Sequence, residues 1–187
     1  MARSRKTPPS LIDLPVRDRE TGDFTVVVET PKSSRNKYKY DASCRALRLS
    51  AVLGEGLAFP YDFGFIPSTV GEDGDPLDVL LFLDHGVPPS TVVTARLIGV
   101  IEVRQRSEGE RKWKRNDRFL AVATHAHGHV HLKTLGDLRP HLLDEVESFF
   151  STYAGLEGKQ LEMLARKGPR RAEKLVKAGA RKFEAGR

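Results

Sequence analysis

The sequence predicts a mainly β domain finished by C-terminal helices, a small antiparallel sheet or barrel with the helices packed against it. Two observations carry that expectation. The β-branched and aromatic runs that read as strands end by Thr124, and the three-and-four spacing that reads as helix begins only from Asp137 onward. A third bounds the answer: 187 residues without repeats or low-complexity segments are enough for one ordinary domain and short for two.

Taken in order, Phe24-Thr-Val-Val-Val-Glu29 is a β-branched strand. Lys32 to Tyr40 is basic and polar, and reads as extended chain with a turn at Ser33-Ser34. Leu77–Leu83 and Thr91–Val103 are further strands, joined by a turn carrying Gly86, Pro88 and Pro89. Phe119–Thr124 is another. Leu142, Leu143, Val146, Phe149, Phe150 and Tyr153 then share one face of an amphipathic helix, with Pro140 near its first turn and Gly155 and Gly158 at its end. After Gly168-Pro169 a second helix turns Ala172, Leu175, Val176, Gly179 and Phe183 inward and its Lys and Arg outward. A single domain over residues 1–187 is expected, with 1–20 as a flexible N-terminal arm and 159–187 as a basic helical tail.

Composition narrows the function. The chain is 39% hydrophobic and 30% charged, enough apolar material for a core. Apolar runs are short: Val79–Leu83 stops at Asp84, far below the ~20 residues of a membrane helix, so no span is expected. Arg3, Arg5 and Lys6 have no apolar stretch behind them, which argues against a secretory signal. A lone cysteine, Cys44, fits a reducing compartment and a cytoplasmic protein. The net charge of +6 is local: residues 159–187 carry ten Lys/Arg and three Asp/Glu, and the rest of the chain is near −1. Such a run reads as a solvated helix face, and without interleaved aromatics it does not point to nucleic acid.

The chemistry concentrates in Gly71-Glu-Asp73-Gly-Asp75-Pro-Leu-Asp78-Val-Leu-Leu-Phe82. Three carboxylates fall within six residues. Gly74 and Pro76 permit a tight bend that aims Asp73 and Asp75 at a common space, while Leu77 and Val79 face the core and Asp78 faces away. A hard divalent cation takes few carboxylates plus waters, and such a cluster can leave one carboxylate to deprotonate water. An Asp-Gly surface turn or a calcium loop remains open on spacing alone, although an EF-hand needs its Gly and final Glu at other offsets. His125, His127, His129 and His131 alternate and read as a loop or a transition-metal site. The basic stretch from Arg104 to Arg115, with Trp113, reads as solvated, as packing against a neighbouring subunit, or as a contact for a larger phosphorylated ligand.

Phe59-Pro-Tyr-Asp-Phe63-Gly-Phe-Ile-Pro67 runs directly into this segment, and here the chain resembles the soluble family I inorganic pyrophosphatases. Asp73-Gly-Asp75-Pro-Leu-Asp78-Val matches their Asp-x-Asp-Pro-x-Asp-Val signature. Phe63-Gly-Phe-Ile-Pro67 matches the run before it. Val28-Glu29-Thr-Pro31, Lys37-Tyr38, Gly99-Val100, Arg118-Phe-Leu-Ala-Val122 and Phe149-Phe-x-x-Tyr153-x-x-Leu-Glu157-Gly-Lys159 match further blocks in order. The resemblance implies a five-stranded OB-like β-barrel flanked by α-helices, a homo-oligomer, and hydrolysis of pyrophosphate to two phosphates. In that chemistry Mg²⁺ ions hold the substrate and a water that attacks one phosphorus. Asp73 and Asp78 match metal ligands, Asp75 the carboxylate that takes the water's proton, and Glu29 an acid that binds a further metal through water. Lys37, Arg118 and Tyr153 match groups that hold phosphate oxygens.

Several positions depart from that pattern. Lys39 replaces a glutamate, Ala51 a phosphate-binding arginine, and Ala154 a lysine; Phe59 and Phe63 replace tyrosines. Gln105 and Asn116 stand at two metal-binding aspartates, Asn116 keeping an oxygen there. Glu102, Glu108, Glu110 and Asp117 are candidates to compensate. The changes leave the site about +2 relative to the family, one Mg²⁺ worth of charge. Lys39 is therefore expected to hold phosphate and to stand partly in for a metal, and the lost clamps predict reduced turnover. A hydrolase of another phosphoanhydride, or a non-catalytic binder of pyrophosphate or nucleotides, are the alternatives.

Overall fold

The computed structural model describes residues 9–187. In chain order, the described residues form β1 (Phe24–Thr30), β2 (Asn36–Asp41), β3 (Ala46–Val52), β4 (Asp62–Ile66), β5 (Leu77–Phe82), β6 (Val92–Ser107), β7 (Lys114–Arg115), β8 (Arg118–Ala123), α1 (Leu142–Leu156), β9 (Lys159–Lys167) and α2 (Pro169–Ala185). β1, β4, β5, β8 and β6 pair in that order, and β6 pairs back to β1, so five strands close into a ring. All pairs in the ring are antiparallel except β5 with β8, which run parallel because β6 and β7 intervene in the chain. Closure removes the free sheet edges that a five-stranded open sheet would leave.

Every residue of β1, β4 and β8 is buried. One face of each fills the barrel and the other is covered from outside, so these strands read as continuous apolar runs rather than alternating ones. Gly64 in β4 is dictated by the closeness of β1: a Cβ there would lie 1.9 Å from the Val27 carbonyl oxygen. Phe59 and Phe63 meet Phe149 and Phe150 of α1 with ring centroids 5.2 and 6.0 Å apart, which seats that helix on the barrel.

Four strands lie beyond the sequence expectation: β3, β4, β7 and β9. β3 pairs only with β2, forming a ribbon separate from the barrel, and its residues are largely exposed, so neither burial nor β-branching marked it. β9 occupies the start of what reads as a helical tail. The second half of β6 runs past the barrel with unpaired backbone groups, and β9 satisfies them from Val100 to Ser107. Cross-strand pairs fix the choice: Arg104 opposes Glu162 and bonds it at 2.7 Å, and Arg106 opposes Gln160 and bonds it at 2.8 Å. Helix propensity in Leu-Glu-Met-Leu-Ala yields to that pairing.

α2 does follow Gly168, with Pro169 in its first turn and Ala172, Val176 and Gly179 buried. α1 starts at Leu142, two residues after Pro140, and Asp137 instead closes a short 3₁₀ turn by accepting the Thr134 amide. Part of the tail's charge is neutralised on the body, through Arg166 with Asp144 and Glu147, Arg171 with Glu102, and Arg187 with Asp13. Of the expected arm, residues 1–8 lie outside the described residues. From Ser10 it is bonded to the body, by Ser10 Oγ with Tyr40 Oη (2.9 Å), the Ser68 amide to Ile12 O (2.8 Å) and the Thr25 amide to Val16 O (2.9 Å). Among the described residues no helix is long and apolar enough to cross a membrane.

Replacing Gly64 with Ala should lower folding stability by about 1–3 kcal/mol, the usual range for overpacking. Urea unfolding midpoints measure it; an unchanged midpoint would mean β1 can move away without loss.

Candidate active site

The acidic segment is a loop fastened at both ends before it reaches the barrel. Buried Thr69 donates to Ile66 O (2.5 Å) and accepts the Leu77 amide (3.1 Å). The Val70 amide donates to Gly179 O of α2 (3.2 Å), and the Gly71 amide to Asp75 O (2.8 Å). Asp73 Oδ1 accepts the Asp75 amide at 3.2 Å across Gly74, whose φ of +93° suits a residue without a side chain. Asp73 and Asp75 therefore project together. Asp78, one residue inside β5, faces the same space while Val79 enters the core.

That space is a cleft of about 300 Å³. Glu29, Lys37, Lys39, Asp73, Asp75, Asp78, Asn116, Arg118 and Tyr153 all line it, so these nine sequence-derived site residues converge on one cavity. The end of β1 brings Glu29, whose Oε1 accepts the Tyr40 amide at 2.6 Å. β2 brings Lys37 and Lys39. Lys39 Nζ bonds both carboxylate oxygens of Asp75 at 2.7 Å. Lys37 Nζ donates to Tyr153 Oη at 2.6 Å, Tyr153 donates to Glu157 at 2.5 Å, and Lys159 donates to Glu157 at 2.9 Å. Arg118, at the head of β8, is buried and donates to Asp78 Oδ2 at 2.5 Å and to Asn116 O at 2.9 Å.

The carboxyl groups carry the strain of this crowding. Burial, reinforced by Asp78, pushes Glu29 up to about 7, against the Tyr40 amide and Lys37. Burial and then Asp78 raise Asp73 above the usual carboxylate range. Burial also raises Asp78, with Arg118 and Lys37 opposing. Lys37 is lowered, chiefly by burial. Burial and the bond to Glu157 raise Tyr153, keeping it a donor.

Gln105 and Asn116 both face the cleft, so both amides stand where the resemblance places carboxylates. The candidate compensators do not. Asp117 accepts the Val103 amide and pairs with Arg115 at 2.8 Å, and Glu102 pairs with Arg171 at 2.6 Å. Glu108 and Glu110 are exposed in the turn after β6. Ala51 opposes Lys37 in the β2–β3 register without lining the cleft, whereas Ser50 at the adjacent irregularity does line it. Glu157 and Lys159 are site residues the sequence reading left in a matched block without a role. Their signal is the i, i+4 spacing of Tyr153 and Glu157 on one helix face.

Two other motifs lie elsewhere. The His125–His131 segment is a loop held by its backbone, the His127 and Gly128 amides donating to Asp84 at 2.7 and 2.8 Å. Trp113 is flanked by the guanidinium groups of Arg104 and Arg106, 4.9 and 4.6 Å from its ring, so the basic loop engages its own tryptophan.

The donor set fits a hard divalent cation. Oxygen carboxylates line the cleft and no His or Cys does, which disfavours a zinc-type centre. Beyond burial, Asp78 raises the proton affinity of Glu29 and of Asp73, and Asp75 raises that of Asp73 and Asp78, a local shortage of positive charge that such an ion relieves. Among the described residues no three His, Cys, Asp or Glu side chains form a ready-made cage.

The family model described as "Inorganic pyrophosphatase" matches residues 26–184. An inorganic pyrophosphatase of Synechocystis sp. is 37% identical over 145 residues, covering 78% of this chain and 82% of that protein. One from Thermus thermophilus is 35% identical over 151 residues, 81% of this chain and 83% of that protein. The crystal structure of a Thermus thermophilus inorganic pyrophosphatase superposes with a TM-score of 0.84 at 31% identity, covering 94% of this chain and 99% of the other. A Neisseria gonorrhoeae inorganic pyrophosphatase does so with 0.79 at 28% identity, covering 91% and 96%.

Because Glu29 is raised from 4.5 to about 7 on folding, the folded chain holds its proton more tightly than the unfolded chain. Its contribution to stability is full below about 4.5 and is lost as pH rises through about 7. In metal-free protein, wild type should lose a few kcal/mol relative to Glu29→Gln across that window, at about 1.4 kcal/mol per unit. Parallel urea midpoints for the two proteins from pH 5 to 8 would refute this titration.

Proposed function

The chain belongs to the inorganic pyrophosphatase family, and on that premise we propose that this cleft hydrolyses pyrophosphate to two phosphates with Mg²⁺ as the divalent ion. The observation that carries the reading is the meeting of Asp73, Asp75 and Asp78 with Lys37, Arg118 and Tyr153 in one cavity. Asp73, Asp78 and Glu29, with the amide oxygen of Asn116, are the residues to hold the ion. When bound, Mg²⁺ supplies charge that offsets the substrate anion and lowers the pKa of water.

The protein's own groups do the rest. Lys37, Lys39, Arg118 and Tyr153 bind phosphoryl oxygens and orient the anhydride for in-line attack. Asp75 accepts a proton as the water oxygen bonds to phosphorus and the bridging P–O bond breaks. Arg118 and Lys37 meet the charge that develops on the departing phosphate. The bond to Tyr153 holds the Lys37 ammonium in the cleft, and the Lys159–Glu157 pair holds the Tyr153 hydroxyl in turn. The amides at 105 and 116 and the methyl groups at 51 and 154 give fewer charged contacts to the transition state, which supports turnover below that of a site with every clamp present. Cytoplasmic residence and a homo-oligomer belong to the same proposal. The first is supported by the exposed free thiol of Cys44, the second by the exposed Leu49, Val52, Leu156 and Leu164.

Phosphate release from pyrophosphate with Mg²⁺ tests this directly. Asp75→Asn should cut kcat by about 10²–10⁴, and Lys37→Ala by about 10²–10³. Undiminished release by Asp75→Asn would assign proton transfer to another group. Chelation should abolish turnover and added Mg²⁺ restore it; release that persists in chelator would remove the ion from the reaction.

A further inference from the structure

Lys39 differs from the other cations of the cleft in what it holds. Lys37 is bonded to a phenol, Lys159 to Glu157 at the cleft edge, and Arg118 divides itself between Asp78 and Asn116. Lys39 alone grips Asp75, with its Nζ equidistant from both oxygens at 2.7 Å. An ammonium between the two oxygens of a carboxylate occupies the approach that a divalent ion bound to both would use. Both members of the pair are about half exposed, 51% and 49% for their side chains, so the contact forms on the solvent side of the cleft.

Charge agrees with the geometry. The cleft lining holds five carboxylates (Glu29, Asp73, Asp75, Asp78, Glu157) and four cations (Lys37, Lys39, Arg118, Lys159), a formal −1. Gln105 and Asn116 add oxygen without charge. A carboxylate at position 39 in place of the ammonium would change the lining by two charges, the charge of one divalent ion.

We propose that Lys39 is a tethered cation that takes the place of one divalent ion at Asp75, so the substrate-free protein binds one ion fewer than a carboxylate at position 39 would support. This rests on reading the cleft as a divalent-ion centre. Lys39 remains available to a phosphoryl oxygen once the anion enters, because its stem is anchored on β2 at the cleft mouth.

The test is Mn²⁺ binding to the substrate-free full chain, counted by electron paramagnetic resonance of the free ion. Lys39→Glu should bind one more Mn²⁺ per chain than wild type, and the added ion should vanish in Lys39→Glu/Asp75→Asn. Lys39→Ala, which only frees Asp75, should also gain that ion, with weaker affinity. Equal ion numbers in wild type, Lys39→Ala and Lys39→Glu would overturn the proposal, as would an added ion that survives loss of Asp75. Circular dichroism of each variant confirms that folded proteins are compared. Phosphate release is read separately. Turnover with unchanged ion numbers defeats the Lys39 assignment alone, and changed ion numbers without turnover defeat the hydrolase reading while leaving Lys39 in its role.

Discussion

Like charges held close together in a half-buried cleft are the constraint on which this structure depends. Asp73, Asp75, Asp78 and Glu29 would repel one another and resist desolvation if the chain were free to move them apart. The fold prevents that. Thr69 and Val70 fasten the acidic loop to β4 and to α2, and Glu29 is fixed by the Tyr40 amide. The unfavourable arrangement persists because packing elsewhere determines it, as is common where a site is kept ready for a charged ligand.

The barrel and its helices serve this placement in different ways. Closure of β1, β4, β5, β8 and β6 gives a rigid frame whose strand ends deliver Glu29, Asp78 and Arg118 to one mouth. The β2–β3 ribbon stands outside the ring and carries Lys37 and Lys39 over that mouth. α1 contributes Tyr153 from a face otherwise buried on Phe59 and Phe63. α2 touches no cleft residue in chemistry, yet Gly179 is where the acidic loop is fastened: a Cβ there would lie 2.9 Å from Leu77 Cδ1. A helix that contributes no residue to the cleft therefore sets the height of the acidic loop.

The departures from the family pattern form a connected set. An ammonium stands at position 39 and amides at 105 and 116, where the sequence resemblance implies carboxylates, and none of Glu102, Glu108, Glu110 or Asp117 lines the cleft. Asp117 and Glu102 are instead used structurally, tying Arg115 and Arg171 behind the cleft.

The site was legible in the chain because its chemistry is local: three carboxylates within six residues, with Gly74 and Pro76 bending the chain between them, predict a shared space without any knowledge of the fold. Four of the five ring strands, β1, β5, β6 and β8, read for a similar reason, since β-branched runs and short turns act over neighbouring residues, whereas β4 did not. What tertiary structure alone decided was long-range. β9 became a strand because β6 overshoots the barrel and needs partners for its backbone, which no local propensity records. Lys39 met Asp75 across 36 residues, and Lys37 met Tyr153 across 116, through register and closure rather than spacing. The sequence by itself determined which chargeable groups the cleft has to work with, because residue type sets charge and proton affinity. Only the folded chain decided which of them face one another, because contacts between distant segments depend on how the whole barrel closes.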